Sequence, residues 1–368
     1  MSKIRVAIIF GGKSAEHEVS LQSAKNIYDA IDREKYEPVL IGIDKNGKWL
    51  LSSNNEYLLN ADNPKLISLN KNSSPITFAP ESNGVISDLE NIKIENIKSR
   101  HAIDVAFPIL HGPMGEDGTV QGFLKLANIP FVGAGVLGSA VGMDKDVMKR
   151  ILRDAGIPIG RFVSLVDGDT IPEFSDIANA FGVPFFIKPA NMGSSIGVSK
   201  VTDEISYEQA VSLAFSFDLK IIIEEFIEGR EIECAVLGNR KLIASVIGEI
   251  KPGHDFYSYE AKYIDEKGAE LDIPANISEE ISARAQKIAL DTFKALGAEG
   301  LARVDMFLKA NGDILVNEIN TIPGFTKISM YPKLWEASGI SYTDLIDKLI
   351  QLAIEKSNQE KRLRTSYQ

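Results

Sequence analysis

The sequence predicts an α/β chain that turns α+β in its second half, and three observations carry that prediction. Residues 4–43 read as strand, glycine turn, helix and strand. Residues 301–319 read as two alternating strands around an Asn-Gly turn. The balance of 44% hydrophobic and 25% charged residues is that of an ordinary soluble globule, which excludes disorder, collagen and coiled coil as descriptions of the whole. A length of 368 residues suits two or three domains, with interior enough for a cleft between them.

Taken in order, Ile4 to Phe10 is an apolar β-type run that Gly11-Gly12 breaks, and Glu18 to Ile31 has helical spacing, with Val19, Ala24, Ile27 and Ile31 apolar. Tyr36 to Ile43 is a second strand, so the chain opens on a βαβ unit and a Rossmann-like parallel sheet. After an Asn46-Gly47 turn, residues 52–84 are polar and rich in Asn and Ser, and read as a loop-rich excursion without function. Ile103 to Leu110 is a strand that delivers the turn HGPMGEDG, followed by a helix from Thr119 to Ala127. A helix from Asp146 to Ala155 ends at Gly156 and Pro158. The apolar run Pro184 to Ile187 then leads into KPANMGSSIGVS, a helix near Tyr207 to Phe217, and strands at Lys220–Phe226, Glu231–Leu237 and Leu242–Ile250. The helix Ser278 to Leu296 precedes paired strands at Leu301–Lys309 and Asp313–Ile319, and a helix from Tyr342 to Glu355 precedes a basic tail.

Charge and composition exclude several functions. Forty basic residues against 51 acidic give a net charge of −11, which does not suit a nucleic-acid partner. Cys234 is the single cysteine, so neither an internal disulfide nor a cysteine-built zinc site is available, and a reducing, cytoplasmic setting is expected. His17, His101, His111 and His254 are scattered, so a bound metal is expected on oxygen ligands. The N-terminal apolar run is too short for a secretory signal. Leu126 to Met143 carries no charge, but Pro130, Gly133, Gly135, Gly138 and Gly142 suit turns better than a helix, so no membrane association is expected.

Two tempting motifs fail on context. Gly12-Lys13-Ser14 resembles the end of a phosphate-binding P-loop, but position 7, where the first glycine belongs, is Ala7. Gly133-Ala134-Gly135-Val136-Leu137-Gly138 matches a dinucleotide pattern, yet Asp154 falls at the end of a charged helix rather than after a second strand.

Three others survive. Arg303 and Asp305 on one strand, and Glu318 and Asn320 on the next, are each spaced i, i+2, so all four side chains can share one face of a hairpin. Two carboxylates and an amide oxygen are hard donors suited to magnesium that also takes phosphate oxygens; a solvated strand face is the alternative. Lys188-Pro189 followed by Gly193-Ser194-Ser195-Ile196-Gly197 offers backbone N–H groups, hydroxyls and a cation to an anion, or else is a plain hairpin loop. Lys145 is either a second phosphate-facing cation or a surface lysine. The strand ending Glu224-Glu225 is a plausible adenine edge, with Glu231 available for ribose hydroxyls.

In this order the three pieces resemble the ATP-grasp fold, in which two α+β subdomains close over ATP. GGKSAEHEVS, LHGPMGEDGTVQG, GAGVLGSAVGMDK, KPANMGSSIGVS, YEAKY and NEINTIPGFT further resemble the corresponding elements of the D-alanine-D-alanine ligase family, across nearly the whole chain. The resemblance implies an N-terminal substrate domain (1–120), a central ATP-grasp subdomain (121–215) and a C-terminal ATP-grasp subdomain with lid and metal site (216–368). It implies that ATP phosphorylates one D-alanine carboxylate and that the amine of a second D-alanine attacks the acyl phosphate, for peptidoglycan precursor synthesis.

Carried onto matching positions, the resemblance has Glu16 holding the first substrate's ammonium and Ser194 and Tyr263 completing a hydrogen-bonded set with it. Tyr263, from the aromatic segment FYSYEAKY, would belong to a mobile lid that keeps water from the acyl phosphate and would favour an amine acceptor. Lys145, Lys188 and Lys262 would contact phosphates, with Glu224, Glu225 and Glu231 toward adenine and ribose. Asp305, Glu318 and Asn320 would bind two magnesium ions, or manganese in their place. Arg303 and the N–H of Gly324 would face the oxyanion. Ser329 and Met330 match the second substrate's carboxylate site, and His111 resembles a histidine near the first. A homodimer is implied as well.

Overall fold

In the computed structural model, the residues described are 2–52, 57–61, 63, 66–70, 73–89, 102–252, 269–326 and 328–367. Lys262 and Tyr263, and with them the expected lid, lie outside the described residues.

The N-terminal sheet has six strands. β1 (Ile4–Gly11), β2 (Tyr36–Ile43), β3 (Trp49–Ser52), β6 (Ser74–Phe78), β7 (Ile86–Asp88) and β8 (Val105–Ile109) run in the order β7-β6-β3-β2-β1-β8; a separate two-stranded pair, β4 (Leu58–Leu59) and β5 (Ser68–Leu69), lies between β3 and β6 in the chain. β2, β1 and β8 are parallel, as the βαβ opening predicts, and β3, β6 and β7 add antiparallel strands. The described residues of the stretch 52–84 are therefore more than a loop excursion: β4 and β5 pair with each other, β6 extends the sheet, and Ile76 and Phe78 enter the core with Ile9 and Ile41. The helix His17–Ala30 buries Leu21, Ala24 and Ile27 on one face, in a core with Ile8 and Phe10.

The central sheet is antiparallel in the order β11-β10-β12-β9, with β9 (Phe162–Val166), β10 (Phe185–Pro189), β11 (Ser199–Val201) and β12 (Lys220–Glu225). Helices Phe174–Phe181 and Glu204–Phe215 contribute Ile177, Tyr207, Ala210 and Val211 to its core. The C-terminal sheet runs β15-β14-β13-β16-β17, with β13 (Arg230–Gly238), β14 (Ile243–Pro252), β15 (Ala269–Asp272), β16 (Gly300–Leu308) and β17 (Ile314–Asn320). The helix Glu279–Ala295 shares a core with Cys234, Val236, Ala302 and Val304 through Ala285, Ala289 and Phe293. Helices Met330–Ala337 and Tyr342–Glu360 share a core with Ala235 and Leu237 that also takes in Ile8, Phe10 and Leu21, so the first and last thirds of the chain are joined by one apolar interior.

Sheet membership cuts across chain order at both expected boundaries. Val120, Leu124, Ala127, Ile129 and Phe131 pack with the N-terminal sheet, and β12 is an inner strand of the central one.

The glycine-rich segment corrects the sequence reading. Val136–Met143 is a helix, with Gly138 and Gly142 inside it. A Cβ on Gly138 would lie 2.5 Å from the Gly297 carbonyl oxygen, and one on Gly142 2.9 Å from Thr321 Cγ2. The glycines let a helix approach backbone closely, at a cost in helix propensity. Among the described residues, no helix is long and apolar enough to cross a membrane.

Candidate active site

The site forms where the three sheets meet. β1 ends at Gly11, whose φ of 90° and nearness to the Ile43 carbonyl require glycine, and the chain then delivers Glu16 as the N-cap of His17–Ala30. Glu16 is 5% exposed and accepts a hydrogen bond from Ser194 Oγ. Ser194 and Ser195 take left-handed backbone, φ 52° and 59°, in the turn between β10 and β11. The two motifs, 178 residues apart, thus come together as the resemblance implies.

One cavity is lined by Glu16, Glu116, Ser194, Arg303, Asp305 and Gly324, with Glu318, Asn320, Ser329 and Met330 also on its wall. A neighbouring cleft of about 340 Å³ is lined by Lys145, Lys149, Lys188, Glu224, Phe226 and Phe307, among others. That volume falls in the range of small-ligand sites. Gly193, Ser194, Glu231, Phe307, Asn317 and Glu318 line both, so the two cavities adjoin.

On the hairpin, Arg303 pairs with Asn320 and Asp305 with Glu318 in register, and a bulge after Asp305 adds Asn317 to the cleft wall. Arg303 grips Asp305 through Nε–Oδ1 and a terminal guanidinium nitrogen to Oδ2, both 2.7 Å, and its Nε lies 2.9 Å from Glu233 Oε2. The Asn320 amide nitrogen donates to Asp305 Oδ2 at 2.9 Å, and Glu318 lies 3.4 Å from Lys145 Nζ. No group of three or more His, Cys, Asp and Glu forms a self-sufficient metal cage among the described residues. Two carboxylates and an amide oxygen on one face instead fit a hard cation that completes its shell with phosphate oxygens and water.

In the larger cleft, Lys145 Nζ donates to the Met192 carbonyl at 2.8 Å. Lys188 Nζ and Lys149 Nζ lie 2.5 and 2.9 Å from Glu224. Burial by itself would raise the Glu224 carboxyl, but the two ammonium groups overcome it and hold the carboxyl down at about 2. Burial lowers Lys149 against the pull of Glu224. Glu225, at the edge of the cleft, takes the Arg161 N–H at 2.8 Å and its Nε at 2.6 Å. Cationic groups and an aromatic surface at Phe226 and Phe307 fit a nucleotide.

The remaining expected residues divide. Ser329 N-caps the helix Met330–Ala337 and its Oγ accepts from the Thr326 N–H at 3.0 Å; Met330 is buried against Gly248. His111 is 4% exposed, with Nδ1 3.0 Å from the Ile322 carbonyl and Nε2 3.3 Å from Ser23 Oγ. Burial drops its imidazole to about 4, so it is neutral near pH 7.

Three residues escaped sequence reasoning. Lys149 is four residues after Lys145, hence on the same helical face. Glu233 is two after Glu231, hence on the same strand face. Glu116 lies inside the quoted LHGPMGEDGTVQG motif, where its charge reads as turn polarity; burial, then the Glu16 carboxylate, push it up to about 8.

With this geometry in view, comparison with known proteins is specific. Family models described as D-ala D-ala ligase N-terminus and D-ala D-ala ligase C-terminus match residues 5–134 and 151–351. The chain is 56% identical to D-alanine-D-alanine ligase of Oceanobacillus iheyensis over 99% of both chains, and 52% identical to D-alanine-D-alanine ligase A of Escherichia coli over the full length of both. Among solved structures, VanG D-Ala:D-Ser ligase of Enterococcus faecalis superposes with a TM-score of 0.83 at 36% identity, over 96% of this chain and 100% of that one.

Proposed function

The chain belongs to the D-alanine-D-alanine ligase family, and on that premise we propose that it joins two D-alanine molecules with cleavage of ATP, using the residues gathered at this cleft. The fold is ATP-grasp and the product, D-alanyl-D-alanine, serves peptidoglycan precursor synthesis. The observation that carries the residue assignment is the Glu16–Ser194 hydrogen bond, made across two domains into a cavity that Arg303 and Gly324 also line.

Glu16, steadied by Ser194, holds the ammonium of the first D-alanine. Lys145 and Lys188, with Lys262 from the segment beyond, face the phosphates. Glu224 reaches the adenine side, Glu225 bounds that edge of the strand, and Glu231 meets the ribose. Asp305, Glu318 and Asn320 would hold two magnesium ions, or manganese in their place, and the bound cations would supply positive charge beside the phosphoryl group in transfer. Arg303 and the Gly324 N–H stabilise the oxyanion once the second amine attacks. Ser329 and Met330 receive the second carboxylate, and Tyr263 closes the site and favours an amine acceptor. His111 acts from behind the first-substrate site as a neutral hydrogen-bonding group.

A three-domain organisation accompanies this reading; shared cores and sheet membership support edges after about residue 132 and after Glu225. A homodimer in the cytoplasm, without nucleic-acid or membrane partners, completes it.

The test is ADP and phosphate release by purified protein with ATP and magnesium, across D-alanine, D-serine and D-lactate as acceptors, with product masses. Release that depends on D-alanine and yields the D-alanine dipeptide is expected; release indifferent to D-alanine overturns the reading. Glu318→Ala is expected to lower that rate at least roughly a thousandfold through lost charge stabilisation, whereas an unchanged rate refutes the metal assignment.

A further inference from the structure

The turn that follows β17 is fastened from the opposite side of the cleft. Glu116 Oε2 accepts from the Gly112 N–H at 2.8 Å and its Oε1 from the Ile322 N–H at 3.3 Å, a contact spanning 206 residues. The Ile322 carbonyl faces His111 Nδ1 at 3.0 Å, and the Phe325 N–H donates to Ser23 Oγ at 3.2 Å. Gly324 lies between these anchored residues, one before Phe325 and two after Ile322, and both neighbours are buried. At the near end, Gly112 adopts φ 76°, and a Cβ there would lie 2.8 Å from Glu16 Oε2. One carboxylate therefore ties the backbone beside Glu16 to the backbone that carries Gly324.

We infer that Glu116 is a positioning residue for the Gly324 amide, setting its distance from the substrate held by Glu16; this rests on the reading of Gly324 as an oxyanion donor. The chemistry demands a carboxyl group on a side chain of this length. Both oxygens accept from backbone N–H groups on opposite sides of the cleft. A carboxyl oxygen keeps a lone pair for an N–H whether or not it carries the proton, whereas a glutamine amide nitrogen has none to offer the second N–H; an aspartate is one methylene too short to reach both. Oxyanion donors act only when aimed where charge develops, so a displaced Gly324 lowers turnover more than it lowers binding.

The experiment compares wild type, Glu116→Gln and Glu116→Asp in two measurements. Hydrogen–deuterium exchange of the peptide spanning 321–326 reports the clasp without reference to activity. D-alanine-dependent ADP release reports its consequence. Faster exchange in both variants is expected, with kcat down roughly 10- to 100-fold and the KM for ATP within twofold. Unchanged exchange overturns the clasp, and a raised KM for D-alanine with kcat intact overturns the positioning role in favour of direct substrate contact. An equal loss of ATP binding and thermal midpoint, with kcat per folded molecule preserved, also overturns it. If wild-type release does not depend on D-alanine, the ligase reading fails, and exchange still decides the clasp.

Discussion

At the central sheet, Glu224 is buried between Lys149 and Lys188 and stays ionised; at the turn after β17, His111 and Glu116 are buried beside backbone groups and tend to shed their charge. Both ends of the cleft face the same physical cost, since an ion taken from water needs an opposite charge or must neutralise. The nucleotide end keeps its charges, which suits a ligand rich in phosphate. The other end has a backbone to hold still, and hydrogen bonds from a neutral imidazole do so without a field that would compete with Glu16 for the substrate's ammonium. The first arrangement is intolerant of losing one partner; the second responds to pH.

The largest effect on stability is expected from Glu224→Ala, which takes the carboxylate from two buried lysines, Lys149 and Lys188. Breaking such a pair costs about 3–5 kcal/mol, measured by urea unfolding. Replacing Glu224 together with both of its cations, Glu224→Leu with Lys149→Met and Lys188→Met, is expected to recover most of that stability while raising the KM for ATP through the loss of Lys188. A loss below about 1 kcal/mol in the single variant would mean that pairing is not what keeps charge inside this wall.

The contrast also separates what the sequence made legible from what it hid. The hairpin of β16 and β17 was readable because a period of two and an Asn-Gly turn fix which side chains share a face, and the pairing of Asp305 with Glu318 follows. Glu16 and Ser194 were readable only through resemblance, since no local pattern announces a contact 178 residues apart. Lys149 and Glu233 carried a faint signal as repeats of Lys145 and Glu231 at helical and strand spacing, but spacing alone does not say that a wall of another sheet closes over them. Glu116 carried less, because its role comes from Ile322, in a different part of the chain. The helix Val136–Met143 was hidden for the converse reason: its glycines have poor helix propensity and are explained by the Gly297 and Thr321 atoms pressed against them.

The charge-shedding end predicts a pH effect. His111 takes a proton near 6.5 in an unfolded chain and near 4 in the folded one. Between those values the unfolded state binds more protons, so stability falls as pH drops from about 6.5 to 4, by roughly 3 kcal/mol from this group. Glu116 acts in the opposite sense: the folded state binds its proton up to about pH 8, so its contribution falls as pH rises from about 4.5. In urea unfolding, His111→Gln is expected to lose less stability than wild type between pH 6.5 and 4.5. Parallel profiles for the two proteins would break the assignment of charge loss to His111.

The smallest effect tests whether burial, rather than pairing as such, makes the nucleotide wall fragile. Glu225 follows Glu224 in the same strand and has its own cation, Arg161 Nε at 2.6 Å, but the Arg161 side chain is 61% exposed. Water solvates that guanidinium in both folded and unfolded states, and the Arg161 backbone N–H goes on donating to Glu225 after the side chain is removed. Arg161→Ala is therefore expected to cost under about 1 kcal/mol, with the KM for ATP unchanged within twofold. Two adjacent carboxylates with cations at similar distances would then differ severalfold in what their partners contribute. A loss for Arg161→Ala that matched Glu224→Ala would refute burial as the cause and put geometry of the pair in its place.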